Sequence, residues 1–254
     1  NRLLLSLAAA MERFIYNRVC FVTAITPGIR TTLIRDKGLP AAKVLYLPNG
    51  VDLHLFAPRA PDHNLLAALG ATGKRVFLYA GTHGIAQGLP TLIDAAAQLA
   101  DTDILLLFVG DGPVKRDLIA YASRKGVRNV CFVDMQPVGE MARYYSLARA
   151  SIVPLVKADL FRTARPSKIF PSLACGVPVI YAGEGETAQL LGDADAGLVV
   201  PPGDAAQLAV AIRTLAHDDS LHARLRAGGL ALAQQYTWDR IVDDWLEQLN
   251  RAHC

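Results

Sequence analysis

The sequence predicts an α/β fold built on a doubly wound parallel sheet. Short apolar runs recur at Val76–Ala80, Ile104–Val109, Val130–Val133, Ser151–Leu155, Pro178–Tyr181 and Gly197–Val200. Amphipathic helical stretches lie between them, for example Leu89–Leu99, Val114–Ser123 and Glu140–Ala148, and this alternation is that of a parallel sheet with crossover helices. The runs are apolar throughout and do not alternate with polar residues, the pattern of strands covered on both faces.

The elements follow in order. Residues 3–16 place Leu3, Leu4, Leu7, Met11, Phe14 and Ile15 on one helical face. Val19–Val22 reads as a short strand, Thr26-Pro27-Gly28 as punctuation, and a second helix runs to Lys37-Gly38. Val44–Leu47 is another strand, ended by the turn signal Pro48-Asn49-Gly50. This first stretch is too short for a core of its own, so a complete α/β domain is expected behind a fragment of something else. At the far end, Asp204 can cap a helix carrying Leu208, Ile212 and Leu215, and Thr237 one carrying Trp238, Ile241, Trp245 and Leu249.

Composition narrows the function. Of 254 residues 52% are hydrophobic, enough to bury a sizeable core and to exclude a disordered or collagen-like chain. The net charge of +3 is small and the Lys and Arg residues are scattered, so no nucleic-acid partner is expected. Cys20, Cys131, Cys175 and Cys254 show no metal-ligand spacing and are expected to be reduced thiols in a cytosolic protein. No apolar run approaches the about 20 residues of a membrane-spanning helix. No signal peptide is read at the start, where Asn1 replaces an initiator Met and a helical pattern begins at once; the chain is expected to be truncated.

In an open parallel sheet ligands bind beyond the carboxyl ends of the strands, so the loops after the apolar runs hold the candidate residues. Gly81-Thr82-His83-Gly84, with Gln87-Gly88 before the next helix, suits either a phosphate cradled by backbone N–H groups or a tight strand-to-helix turn. Gly110-Asp111-Gly112-Pro113 has half of a dinucleotide fingerprint, but Lys115 stands where the third glycine belongs, which favours a structural turn over cofactor binding. In Arg162-Thr163-Ala164-Arg165-Pro166-Ser167-Lys168, three cations and Ser167 as an N-cap precede an apolar helix; this suits a diphosphate, or else a solvated basic loop. Glu184-Gly185-Glu186 can recognise sugar hydroxyls or act as first-turn acids of a helix. Asp193-Ala194-Asp195 looks like a metal-binding triplet, yet its place between a helix end and Gly197 reads as a turn, and no metal site is expected.

Taken in order, several segments resemble the family 4 glycosyltransferases of the two-domain GT-B fold. They are Val44–Asp52 with Phe56 and Pro58, Tyr79–Leu89, Phe108–Pro113, Pro166–Phe170, Ala174–Ile180 and Gly197–Asp204. Ala80–Leu89 and Pro166-Ser167-Lys168 are most similar to the branch that includes fucosamine-type, acetamido-sugar transferases of surface-polysaccharide assembly. The resemblance implies a Rossmann-like carboxyl-terminal domain preceded by a fragment of a second Rossmann-like domain. Residues 1–47 would be the end of an acceptor-binding domain, 48–74 a linker and 75–254 a nucleotide-sugar domain, with a last helix over 238–250 crossing back.

The activity implied is retaining, metal-independent transfer of a hexosyl-type sugar from a nucleotide diphosphate donor, a UDP-sugar, to a glycan or polyprenyl-linked acceptor. The donor is a substrate and no cofactor is implied. The location implied is cytoplasmic, with peripheral contact on the inner face of the plasma membrane, and little activity is expected of a truncated chain. Lys168 and Glu186 carry over as catalytic residues. Gly81, Thr82, His83, Gly84, Gln87, Gly110, Gly112, Arg162, Arg165, Pro166, Ser167, Ile169, Glu184 and Gly185 carry over as donor-binding, and Met135 and Gln136 as backbone contacts to the base. The chain departs from the family at Thr82 and Gln87, where many relatives carry Arg and Lys. The family's paired glutamates fall on Thr163 and Pro171, and a proline cannot hold ribose hydroxyls. A sugar-nucleotide epimerase of the same fold and a non-catalytic nucleotide-binding module are the alternatives.

Overall fold

A computed structural model describes residues 2–100 and 102–252; Asn1 and Cys254, named above, lie outside them. The chain begins with α1 (Arg2–Arg18), β1 (Val22–Ala24), α2 (Pro27–Arg35) and β2 (Val44–Tyr46). β1 and β2 form a small parallel sheet in which Val22 stands opposite Val44. The strand expected at Val19–Val22 therefore starts at its last residue, because register with β2 selects which residues pair. Thr26 begins α2 as its N-cap, accepting from Ile29 N at 3.1 Å, with Pro27 in the first turn. The apolar face foreseen on α1 exists but is exposed, with Leu3 at 77% and Leu7 at 66%.

After α3 (His63–Ala68) comes the main sheet: β3 (Arg75–Ala80), α4 (Pro90–Ala97), β4 (Ile104–Val109), α5 (Lys115–Arg124), β5 (Val130–Val133), α6 (Met141–Ser146), β6 (Ala148–Pro154), α7 (Ile169–Ala174), β7 (Val179–Ala182), α8 (Glu186–Asp193) and β8 (Gly197–Val200). The strand order is β5-β4-β3-β6-β7-β8, all parallel. Continuous apolar runs arise because successive residues point to opposite covered faces. Val76, Leu78 and Ala80 meet α7 and the elements around it, whereas Phe77 and Tyr79 meet α4 and its neighbours. The order reverses between β3 and β6, and the crevice beyond their carboxyl ends is where such a sheet receives ligands.

The chain closes with α9 (Ala205–His217), α10 (Asp219–Gln235) and α11 (Trp238–Arg251). Asp204 caps α9 through Gln207 N at 2.9 Å, and Thr237 caps α11. The sequence reading contained no α10. Near its middle are Gly228, where a Cβ would collide with the Ala194 carbonyl, and Gly229, where a Cβ would lie 2.8 Å from Leu173. These glycines weaken the helical signal and admit α10 close to α7 and β8. α11 packs along β2: Gln248 accepts from Tyr46 N at 2.8 Å and donates to Tyr46 O at 3.0 Å. Cys131 and Cys175 are free, whereas Cys20 is disulfide-bonded, a departure from the expectation of four reduced thiols. Among the described residues, no helix is long and apolar enough to cross a membrane and no group of acidic, His and Cys side chains is placed to hold a metal.

Candidate functional site

The site is built at the reversal point. β3 ends in Tyr79 and Ala80 and gives way to Gly81, whose φ of +130° is ordinarily reserved for glycine. Tyr79 is buried, its hydroxyl donates to Thr82 O at 2.5 Å, and burial pushes its phenol pKa above the usual value. Opposite, Lys168 precedes α7 and sends its ammonium back over the rim. Nζ donates to the Tyr79 hydroxyl at 3.1 Å and lies 4.2 Å from the centre of the Tyr79 ring. A Cβ on Gly81 would stand 2.7 Å from that Nζ, so the glycine makes room for the cation. Burial lowers the Lys168 pKa to about 8, and no carboxylate among the described residues offsets it. A cation held in that state is short of an anion.

The neighbouring loop is packed backbone to backbone. Gly81 N donates to Val109 O at 2.9 Å, His83 N to Asp111 O at 2.8 Å, and Val114 N to His83 O at 3.1 Å. A Cβ on Gly110 would collide with Gly81 O, and one on Gly112 with His83 O. These two glycines therefore serve close loop packing, the turn reading favoured above. His83 is fully buried against Tyr79 and Phe108, at ring distances of 5.6 and 6.3 Å. Neither ring nitrogen has a hydrogen-bond partner among the described residues. Burial first, with Lys115 and Lys168 adding to it against the opposing pull of Asp111, lowers its pKa to about 4 and keeps the ring neutral. Thr82 is exposed at the rim, and the Gln87 amide oxygen folds toward Gly84.

The remaining sequence candidates divide. Met135 is exposed beyond β5, and the Gln136 amide donates to Asp134 O at 3.1 Å. Ser167 is exposed but caps nothing: Ile169 N already bonds Pro166 O at 3.3 Å and Phe170 N bonds Ser167 O at 3.3 Å, so helical turning starts before the serine and α7 has no side-chain cap. Ile169 carries its side chain into the core, away from the rim. Arg162 is largely exposed, 4.0 Å from Glu184. Gly185, at φ +81°, abuts the Arg162 carbonyl so closely that a Cβ would collide with it.

Arg165 turns to the joint between the two sheets. Its guanidinium donates to the hydroxyls of Tyr46 (3.0 Å) and Tyr236 (3.4 Å), and its carbonyl accepts from Asn49 at 3.2 Å. The Glu186 carboxylate lies 3.8 Å from Arg165 and faces Gly28 at the start of α2. A cleft of about 440 Å³ opens there, lined by Gly28, Thr31, Arg165, Glu186 and Gln189. Two residues that hold this rim together, Tyr79 through Lys168 and Lys115 through Gly110, escaped the sequence reading. Tyr79 looked like strand filling, although a phenol just before a glycine loop is a signal. Lys115 was noticed only as a missing glycine.

The fold and rim can now be set beside known proteins. The family described as "Glycosyl transferases group 1" matches residues 65–230. The chain belongs to that family. It is 27% identical over 237 residues to the 2-deoxystreptamine glucosyltransferase of Streptomyces kanamyceticus, covering 91% of this chain and 60% of that protein. It is 32% identical over 224 residues to D-inositol 3-phosphate glycosyltransferase 1 of Catenulispora acidiphila, covering 83% and 52%. The chain thus spans between half and 60% of the length of these relatives. Its fold matches Anabaena HepE, solved in complex with UDP and glucose, with a TM-score of 0.83 at 22% identity over 96% of this chain and 66% of that one. It also matches the whole of a solved C-terminal domain of a group 1 glycosyltransferase from Francisella tularensis, with a TM-score of 0.61 at 19% identity over 74% of this chain.

Proposed function

We propose that this group 1 glycosyltransferase chain binds the diphosphate of a UDP-sugar at the rim between β3 and α7, and that it supplies the donor half of a retaining transfer to a glycan or lipid-linked acceptor. The observation that carries the reading is Lys168: an ammonium drawn into the rim at the reversal point, resting on Tyr79 and lacking a carboxylate among the described residues. Negative charge builds on the diphosphate as the glycosidic bond breaks. A fixed cation and preset backbone N–H groups stabilise that charge without reorganising. The Lys168 ammonium, not a resident metal, takes this part. The UDP complex of the similarly folded HepE supports the choice of nucleotide. The proposal extends to a UDP-linked acetamido sugar, the class implied by the resemblance of the two rim loops.

Within this reading residues 75–254 form the donor domain and 48–74 the linker. Residues 1–47 belong to the acceptor side, and the match to a free-standing C-terminal domain supports the division. Thr82, Gly84 and Gln87 border the phosphates, and Met135 and Gln136 the base. Glu184 and Gly185 border the sugar, while Glu186 and Arg165 act at the joint that brings the acceptor side to it. A thermal-shift panel of UDP, GDP, UDP-GlcNAc and NAD tests the reading, because a true site raises the melting temperature at saturating ligand. The expected result is a rise with UDP and UDP-GlcNAc and none with NAD. A response to NAD alone, or to nothing, overturns it.

A further inference from the structure

Lys115 is the second buried cation near the rim, and the proposed phosphate chemistry makes no use of it. It opens α5, is only 8% exposed, and turns back beneath the loops. Its ammonium donates to Gly110 O at 2.9 Å, to Val133 O at 3.3 Å and to the Asp134 carboxylate at 2.5 Å, which occupies all three of its protons. Gly110 follows β4 and Val133 ends β5, and the rung between these strands continues as Gly110 N to Val133 O at 3.1 Å. Lys115 therefore fastens the two strand ends together where the ladder stops.

What lies directly beyond is the segment 134–136. β5 is the outer strand of the sheet, and its residues are only partly buried. A loop leaving such an edge has few contacts to hold its backbone. Asp134 has a 92% exposed side chain, and its bond to Lys115 holds its pKa below the usual carboxylate range. The Gln136 amide in turn donates to the Asp134 carbonyl. Side-chain bonds thus run from the buried ammonium to Gln136.

We infer that Lys115 is a positioning residue for nucleobase recognition: by fixing the Asp134–Gln136 backbone it makes affinity for the base, and not for the diphosphate, depend on a side chain that does not itself touch the ligand. This rests on the donor-site reading given above. It also gives a reason for a lysine at the position where a dinucleotide fingerprint would have its third glycine.

Calorimetric titration of the full chain with UDP and, separately, with inorganic pyrophosphate tests the inference. Wild type is expected to bind both. Lys115→Met should bind pyrophosphate as wild type does but UDP about tenfold more weakly. Asp134→Ala, at an exposed side chain that nonetheless takes from Lys115 its carboxylate, should weaken UDP in the same direction by about threefold while the chain stays folded. If Lys115→Met does not fold, Asp134→Ala decides alone. UDP affinity equal to wild type in the folded variants, or equal losses for UDP and pyrophosphate, would overturn the role of Lys115 while leaving the donor site standing. A wild-type chain that binds neither ligand would refute the donor-site reading and this inference with it.

Discussion

Replacing Lys168 with methionine separates binding from stability, and the two should move in opposite directions. The ammonium spends one bond on the Tyr79 hydroxyl and has no carboxylate partner among the described residues. Hydrogen bonds from a charged donor contribute about 1.5–3 kcal/mol, so Lys168→Met should weaken UDP binding roughly 10- to 150-fold. The unliganded protein should not suffer. With its pKa drawn from 10.5 to about 8 by burial, charged Lys168 costs the fold at most about 3 kcal/mol at neutral pH. Methionine keeps the stem and removes the charge, so the melting temperature should hold or rise by a few degrees.

The pH dependence follows from the same shift. Between pH 8 and 10.5 the unfolded lysine still holds a proton that the folded one has released, so wild-type stability gains as pH rises through this window. The variant lacks that gain. UDP binding, which needs the ammonium, should weaken in wild type above pH 8. Titration calorimetry at pH 7 and pH 9, with melts across the same range, reads all of these effects. A Lys168→Met protein that binds UDP as tightly as wild type, or that melts many degrees lower, would refute the reasoning.

Three further outcomes are expected. His83, neutral and buried with a pKa near 4, must take up a proton on unfolding as pH falls from 6.5, so up to about 3 kcal/mol of stability is lost toward pH 4; acid melts of His83→Phe should lack this loss, and identical curves would contradict it. Gly112→Ala puts a Cβ into the His83 carbonyl at a φ of +155°, so an unfolding free energy lowered by about 1–3 kcal/mol is expected in denaturant titration, and an unchanged one would show that the two loops are not held this closely. Arg165→Met strips Tyr46 and Tyr236 of their shared donor and leaves Glu186 without its cation, which should cost about 2–4 kcal/mol in thermal or chemical unfolding.

Much of this architecture is legible in the sequence, and the reasons are local. β4 was read to the residue because every position from Ile104 to Val109 is buried, and a fully apolar run between turn signals has few other readings. Asp204 and Thr237 were visible as caps because capping depends on a few adjacent residues. α10 was hidden because its glycines answer to distant partners, the Ala194 carbonyl and Leu173, and distance in space leaves no trace in local pattern. The role expected of Ser167 failed for a related reason: turning begins at Pro166, so the serine sits too far inside to cap. At the site, Lys168 and the Gly81 loop were readable as a cation facing a glycine turn. That Arg165 points to Tyr46 depends on a second sheet, which the sequence around 165 does not describe.

The most direct measurement is a crystal structure of this chain with UDP bound. The diphosphate should lie within hydrogen-bond distance of Lys168 Nζ and the backbone N–H groups of Thr82 and Gly84, with the uracil against residues 134–136. Density for UDP in the cleft beside Glu186 and Gly28, with the Lys168 ammonium still bonded only to Tyr79, would contradict the account.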